Sequence, residues 1–291
     1  MANALKGLKE CELSEILFPV EVRNTPMWSN NENSKVVIGK VNGKRKLLNC
    51  CSPVYKLIAN ELIFPVVEQL LREANISFET SYYEVGNVRF YAKIVITDAK
   101  YGFKIKGTND VIQPMLTVQH SYNGKTKFKI LFGYFRLICS NGLTIPLAEM
   151  EQYNLVIEGK HTENIATAMS MLNDMIIKFS TDADMISTAI GSKFNVLANN
   201  VPANVTDRIT NVLKAVGITA IESSKFNTVE YVQGLAQYEA NLPQFEYDGV
   251  INDWLIYNAI NQLIMDDDLN IMFPEIRREK DSKVMEYMLR G

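Results

Sequence analysis

Between residues 88 and 97, Val88, Phe90, Ala92, Ile94 and Ile96 fall on one parity while Arg89, Tyr91 and Lys93 fall on the other. Successive side chains of a strand point to opposite faces, so a period of two predicts a half-buried strand. The alternation returns at 101–107, where Tyr101, Phe103 and Ile105 oppose Lys104 and Lys106. It returns again where Leu116, Val118 and His120 oppose Thr117, Gln119 and Ser121. After Asn123-Gly124, the bases Lys125, Lys127 and Lys129 oppose Phe128, Ile130, Phe132 and Tyr134. Asn-Gly between alternating runs is a strong hairpin signal. These runs predict one antiparallel sheet with an apolar face and a basic, partly aromatic face. A second hairpin is predicted around Asn42-Gly43, with Lys44, Arg45 and Lys46 at its tip, and a third Asn-Gly turn at Asn141-Gly142.

Elsewhere the period changes to that of a helix. A short helical piece is expected at 13–18, followed by a polar run at 30–34 that reads as a loop. Over 60–75 the positions Leu62, Ile63, Val66, Val67, Leu70 and Leu71 recur at helical spacing, with Asn60 as N-cap and Pro65 in the first turn. This helix should pack on the sheet's apolar face. Thr162 can cap another, striped by Ile165, Met169, Leu172, Ile176 and Phe179. Beyond Thr181 no strand is apparent, and 184–197, 206–216, 228–238 and 248–265 read as helices punctuated by Pro202, Gly217, Pro243 and Pro274. The expected class is α+β: an N-terminal arm (1–34), a core domain with the basic sheet and a packed helix (35–180), and an acidic helical region (181–291).

Charge sharpens that division. The chain has 291 residues and a net charge of −3, yet residues 86–136 carry nine bases against two acids, a net +7. Residues 137–291 carry 11 bases against 21 acids. Cations among rings compose a surface that tracks a nucleic-acid backbone and its bases. The plain alternative is a solvated sheet face, although such a face ordinarily mixes signs. No segment has the apolar length of a bilayer span, and the first residues lack a signal peptide's apolar centre, so a cytoplasmic location without membrane contact is expected. Cys11, Cys50, Cys51 and Cys139 form neither a disulfide framework nor a zinc pattern, and two histidines exclude a histidine-rich metal site. No metal or other cofactor is implied. Gly159-Lys160-His161-Thr162 departs from the phosphate-loop pattern, with Asn154 where a glycine is needed and a histidine after the lysine. A Cys139 thiol with His161 as base has the elements of a nucleophile, but a lone Cys in an apolar strand usually fills core. Asp266, Asp267 and Asp268 are consecutive and point apart on a helix, which suits a solvated helix end.

One set of residues carries a family resemblance. Arg136-Leu-Ile-Cys139-Ser-Asn141-Gly-Leu143, with Ser121-Tyr-Asn123-Gly124 before it and His161-Thr162 after it, resembles the family known as domain of unknown function nine hundred and thirty-two. Tyr55 and Asn60 upstream, and Trp254 with Tyr257-Asn258-Ala259 downstream, resemble its flanking signatures, so the likeness covers roughly 47–262. It implies a phage or plasmid origin and work in the cytoplasm of the bacterial host, and it carries no mechanism. The family's Arg, Cys, Asn and His correspond to Arg136, Cys139, Asn141 and His161. These either shape a strand-to-helix junction or form a site there; a structural role for all four suffices.

Three functional classes follow. The first is a non-catalytic nucleic-acid-binding protein that prefers single-stranded DNA and assists recombination or replication. Arg89, Lys93, Lys104, Lys106, Lys125, Lys127 and Lys129 would hold phosphates and Tyr91 would stack a base. The layout of hairpins between helices also resembles phage single-strand annealing proteins, which leaves homo-oligomerisation open. The second class is a protein-binding accessory factor acting through the helical half. The third is an enzyme using Cys139 and His161 or an acid cluster.

Overall fold

The computed structural model describes residues 8–24, 34–53, 55–124, 128–136, 142–143, 165–223, 226–265 and 274–290. In chain order they form β1 (Leu8–Cys11), α1 (Leu13–Ile16), β2 (Val20–Asn24), β3 (Lys35–Val41), β4 (Lys44–Cys51) and a 3₁₀ turn (Asn60–Leu62). Then come α2 (Phe64–Glu73), β5 (Phe78–Val85), β6 (Arg89–Ile96), β7 (Phe103–Lys104), β8 (Val111–Ser121), β9 (Lys129–Arg136) and β10 (Gly142–Leu143). The helices α3 (Ile165–Asn199), α4 (Val205–Ala215), α5 (Thr228–Ala240), α6 (Asp253–Met265) and α7 (Pro274–Arg290) complete the α+β fold.

The main sheet is antiparallel and seven-stranded, in the order β1-β5-β6-β8-β9-β10, with β7 also paired to β8. The alternation in β6 sorts its faces: Phe90, Ala92, Ile94 and Ile96 are buried, while Arg89, Tyr91, Lys93 and Val95 are half-buried on the other side. Two helices cover the inner face. From α2, the buried Phe64, Val67 and Leu71 meet it, with Phe64 edge-on to Tyr82 at 6.0 Å. From α3, Phe179 lies 5.0 Å from Phe132 and 5.4 Å from Tyr101. The smaller sheet β2-β3-β4 turns at Asn42-Gly43, both at positive φ as a tight hairpin requires. It joins the same core through Phe18, which packs on Phe90 and Tyr122.

Several expectations need correction. Asn60 does not cap a helix. It opens the 3₁₀ turn, where its backbone N–H donates to Tyr122 Oη and its Nδ2 donates to the Ile16 carbonyl, both at 2.9 Å. A buried amide thus ties the N-terminal segment to the end of β8, and α2 starts four residues later with Pro65 in its first turn. The helices expected on either side of Thr181 are one helix, α3, so the boundary placed at 180/181 falls inside it. Thr181 and Asp184 lie on its exposed side, while Phe179, Ala183, Ile186, Ile190 and Phe194 continue one buried stripe beneath them. Residues 8–11 and 20–24 of the expected arm pair with β5 and β3. The Thr162 cap lies outside the described residues, and Pro274, read as punctuation, opens α7.

A buried carboxylate joins the sheet to the helical region. Asp110, just before β8, accepts hydrogen bonds from Trp254 Nε1 at 2.9 Å and Tyr247 Oη at 3.0 Å. Trp254 stacks on Phe194 of α3, with ring centroids 4.8 Å apart. Along α6 the polar positions are also paired: Asp253 with Arg208 at 2.6 Å, and both Tyr257 and Asn261 with Asp281 of α7. This internal satisfaction permits a helix to be buried nearly all round.

Candidate nucleic-acid interface

Directly paired residues of an antiparallel sheet share a face, so the registers map the outer surface row by row. One row runs Glu10, Tyr83, Tyr91, Gln119, Lys129 across β1, β5, β6, β8 and β9. The row on one side of it is Val85, Arg89, Ser121, and the row on the other is Ser81, Lys93, Thr117, Leu131. Strands lie about 4.8 Å apart and same-face neighbours about 7 Å apart along a strand. Two rings and an amide therefore stand side by side, flanked by three cations. Tyr83, Tyr91, Gln119, Arg89, Lys93 and Lys129 are all half-buried, among Val85, Ser121 and Leu131, which are buried. Phe128 and Ile130, on the opposite parity, are buried.

Burial among these neighbours lowers the Lys93 pKa to about 8. The face also holds acids that the charge count over 86–136 does not include. Glu10 and Glu79 reach it because β1 and β5 join this sheet, and both are exposed towards the β1 and β5 side. Its cations lie on β6 and β9, so the face is divided rather than uniformly basic.

The expected residues do not all converge. Arg89, Tyr91, Lys93 and Lys129 are brought together. Lys104 is paired with Val111, six residues along β8 from Thr117, which pairs with Lys93, or about 20 Å away. Lys106 lies past the end of β7, its backbone N–H donating to Asn195 Oδ1 of α3 at 2.7 Å. Lys125, Lys127, Cys139, Asn141 and His161 lie outside the described residues, as do Asp266, Asp267 and Asp268. Arg136 pairs with Ile112 in the sheet through its backbone. Of the second hairpin's bases, Lys46 donates to the Gly86 carbonyl and Asn87 Oδ1 at the β5–β6 turn, both at 3.0 Å. His120 is buried on the inner face against the Ile58 carbonyl, so it takes no part in the surface.

Tyr83 has no place among the residues expected from the sequence. Its signal is the parity of 78–85, which turns Tyr82 inward and Tyr83 outward, but the charge-rich stretch starts only at Gly86. Among the described residues no cluster of three or more His, Cys, Asp or Glu is placed to hold a metal ion, and no helix is long and apolar enough to cross a membrane.

Residues 47–190 match the model of the family described as Domain of unknown function (DUF932). The match includes α2, β5 to β10 and most of α3, and stops short of Trp254 and Tyr257. No curated protein and no solved structure matches the chain.

Proposed function

With residues 47–190 belonging to this family, whose description assigns no activity, we propose that the protein is a non-catalytic nucleic-acid-binding protein that holds single-stranded DNA on the outer face of β6, β8 and β9. The observation that carries this is the row Tyr83, Tyr91, Gln119, Lys129 with Arg89 and Lys93 on either side. Aromatic faces accept any base by stacking, and cations spaced around them hold phosphates. The setting we infer is strand annealing in recombination or replication of a phage or plasmid, in the bacterial cytoplasm. Two outward tyrosines side by side favour a strand with unstacked bases over a duplex, whose bases stack on one another.

The test is a titration of fluorescent oligo(dT) at 50 and 200 mM salt. Three phosphates neutralised on a single strand give a log–log slope of about −2, hence about a 20-fold loss of affinity across that range. Absence of binding at 50 mM would sink the proposal and promote a protein partner for the helical half.

Lys93 adds a pH dependence. Its pKa of about 8 should rise towards the ordinary lysine value, about 10.4, when a phosphate sits beside it. Binding then takes up a proton between those two limits. Affinity should be flat below pH 8 and fall as pH rises above it. Lys93→Arg, charged throughout, should remove the fall. Identical pH profiles for the two proteins would show that Lys93 does not meet a phosphate.

A further inference from the structure

Lys104 and Lys106 stand apart from the tyrosine row, and what they face is different in kind. Between β7 and the last three turns of α3 lies an open groove of about 570 Å³. Its lining includes Phe103, Lys104 and Lys106 from the β7 side and Ser187, Ser192 and Asn195 from α3. Gly191 allows the approach of strand to helix, because a Cβ there would stand 3.2 Å from Phe103 Cδ2. Phe103 itself is wedged between Tyr134 and Phe194, each 5.7 Å away centroid to centroid, which fixes β7 and with it Lys104.

None of the described residues lining the groove is acidic. The lysines contribute two positive charges, and hydroxyl and amide groups on α3 supply further donors around the same space. Lys104 is held only loosely by Asn109 Oδ1, at 3.3 Å. One opposing effect needs weighing, since a helix C-terminus disfavours anions. That influence fades within the last turn, whereas Ser187 and Ser192 lie well before Asn199. The volume falls in the range of small-ligand sites and exceeds what a lone phosphate fills.

We propose that this groove is a second binding site, separate from the sheet's tyrosine row, that takes the phosphoryl groups of a nucleotide. Lys104 and Lys106 supply the charge, Ser192 a hydroxyl donor and Asn195 an amide, whereas the Ser187 hydroxyl already donates to the Tyr101 carbonyl at 3.1 Å. The phosphoryl groups belong either to a free nucleotide or to a strand that also lies on the sheet.

The test uses the full chain, calorimetric titration with inorganic pyrophosphate, and melting in parallel. Lys104→Gln with Lys106→Gln should weaken binding by about tenfold or more, the scale of losing charge-assisted hydrogen bonds. Ser192→Asp, which places a carboxylate in the groove from an exposed position, should do the same while the melting temperature stays put. No binding by the wild-type protein, or unchanged affinity in both variants, overturns the site. Oligo(dT) titration of Ser192→Asp separates the two sources: a parallel loss assigns the phosphoryl groups to a strand, and unchanged DNA affinity assigns them to a free nucleotide. Failure of the sheet to bind DNA leaves the pyrophosphate result standing, so the two sites fail separately.

Discussion

Trp254→Ala is expected to cost about 3–5 kcal/mol of folding stability, the range for truncating a fully buried large aromatic. Trp254 is fully buried, stacks on Phe194 and Tyr257, and donates a hydrogen bond to Asp110, as Tyr247 does. The variant loses the ring's contacts and also takes a donor from a buried carboxylate. Trp254→Phe separates these effects. It keeps most of the ring and gives up the N–H, so its cost should be about 1–3 kcal/mol. Denaturant midpoints of the two variants measure both quantities. A Trp254→Ala midpoint close to wild type would mean that the seam between sheet and helices contributes little to holding the fold.

The second large effect concerns binding rather than folding. Changing Arg89, Lys93 and Lys129 together to glutamine should lower oligo(dT) affinity by about two orders of magnitude at 50 mM salt and flatten the salt slope by about 2. The melting temperature should hold or rise slightly. Charges that stay partly in solvent contribute little to folding, and burial already works against the Lys93 ammonium. The loss should be uniform across DNA sequences, because phosphate contacts carry no base information. An early-melting variant, or one that binds as tightly as wild type, would show that these three side chains do not form the gripping surface.

The strands that read clearly from the sequence are those whose alternation is unbroken. In β6 and β8, one parity is apolar and the other polar for long enough to fix both the strand and its inner face. β5 is harder to read, because Phe-Glu-Thr-Ser-Tyr-Tyr-Glu-Val sets Glu84 on the inward parity. That carboxylate is accommodated by accepting the Asn87 N–H at 2.6 Å in the turn, a contact no periodicity reveals. Tyr83 was lost with the strand. Glu10 and Glu79 reach the outer face only through pairing of β1 and β5, so a charge count along a contiguous stretch overstated how basic that face is. The groove beside Lys104 depends on Gly191, nearly ninety residues away in sequence, and could not have been inferred locally. The long helix is hidden by Thr181 to Asp184, which resemble a break, yet only Thr181 and Asp184 are exposed and Ala183 keeps the buried stripe unbroken.

That helix bears on how relatives of this protein can differ. The family match ends at residue 190, inside α3, which continues to Asn199. Phe194 lies beyond the match, yet it packs on Phe103 on one side and Trp254 on the other. A splice at the end of the match would therefore cut through a rod and divide a shared aromatic stack, so the two halves are not interchangeable modules at that point. If either half is exchanged during descent, the crossover should fall past Asn199, and the incoming half must bring its own partners for Phe194 and Asp110.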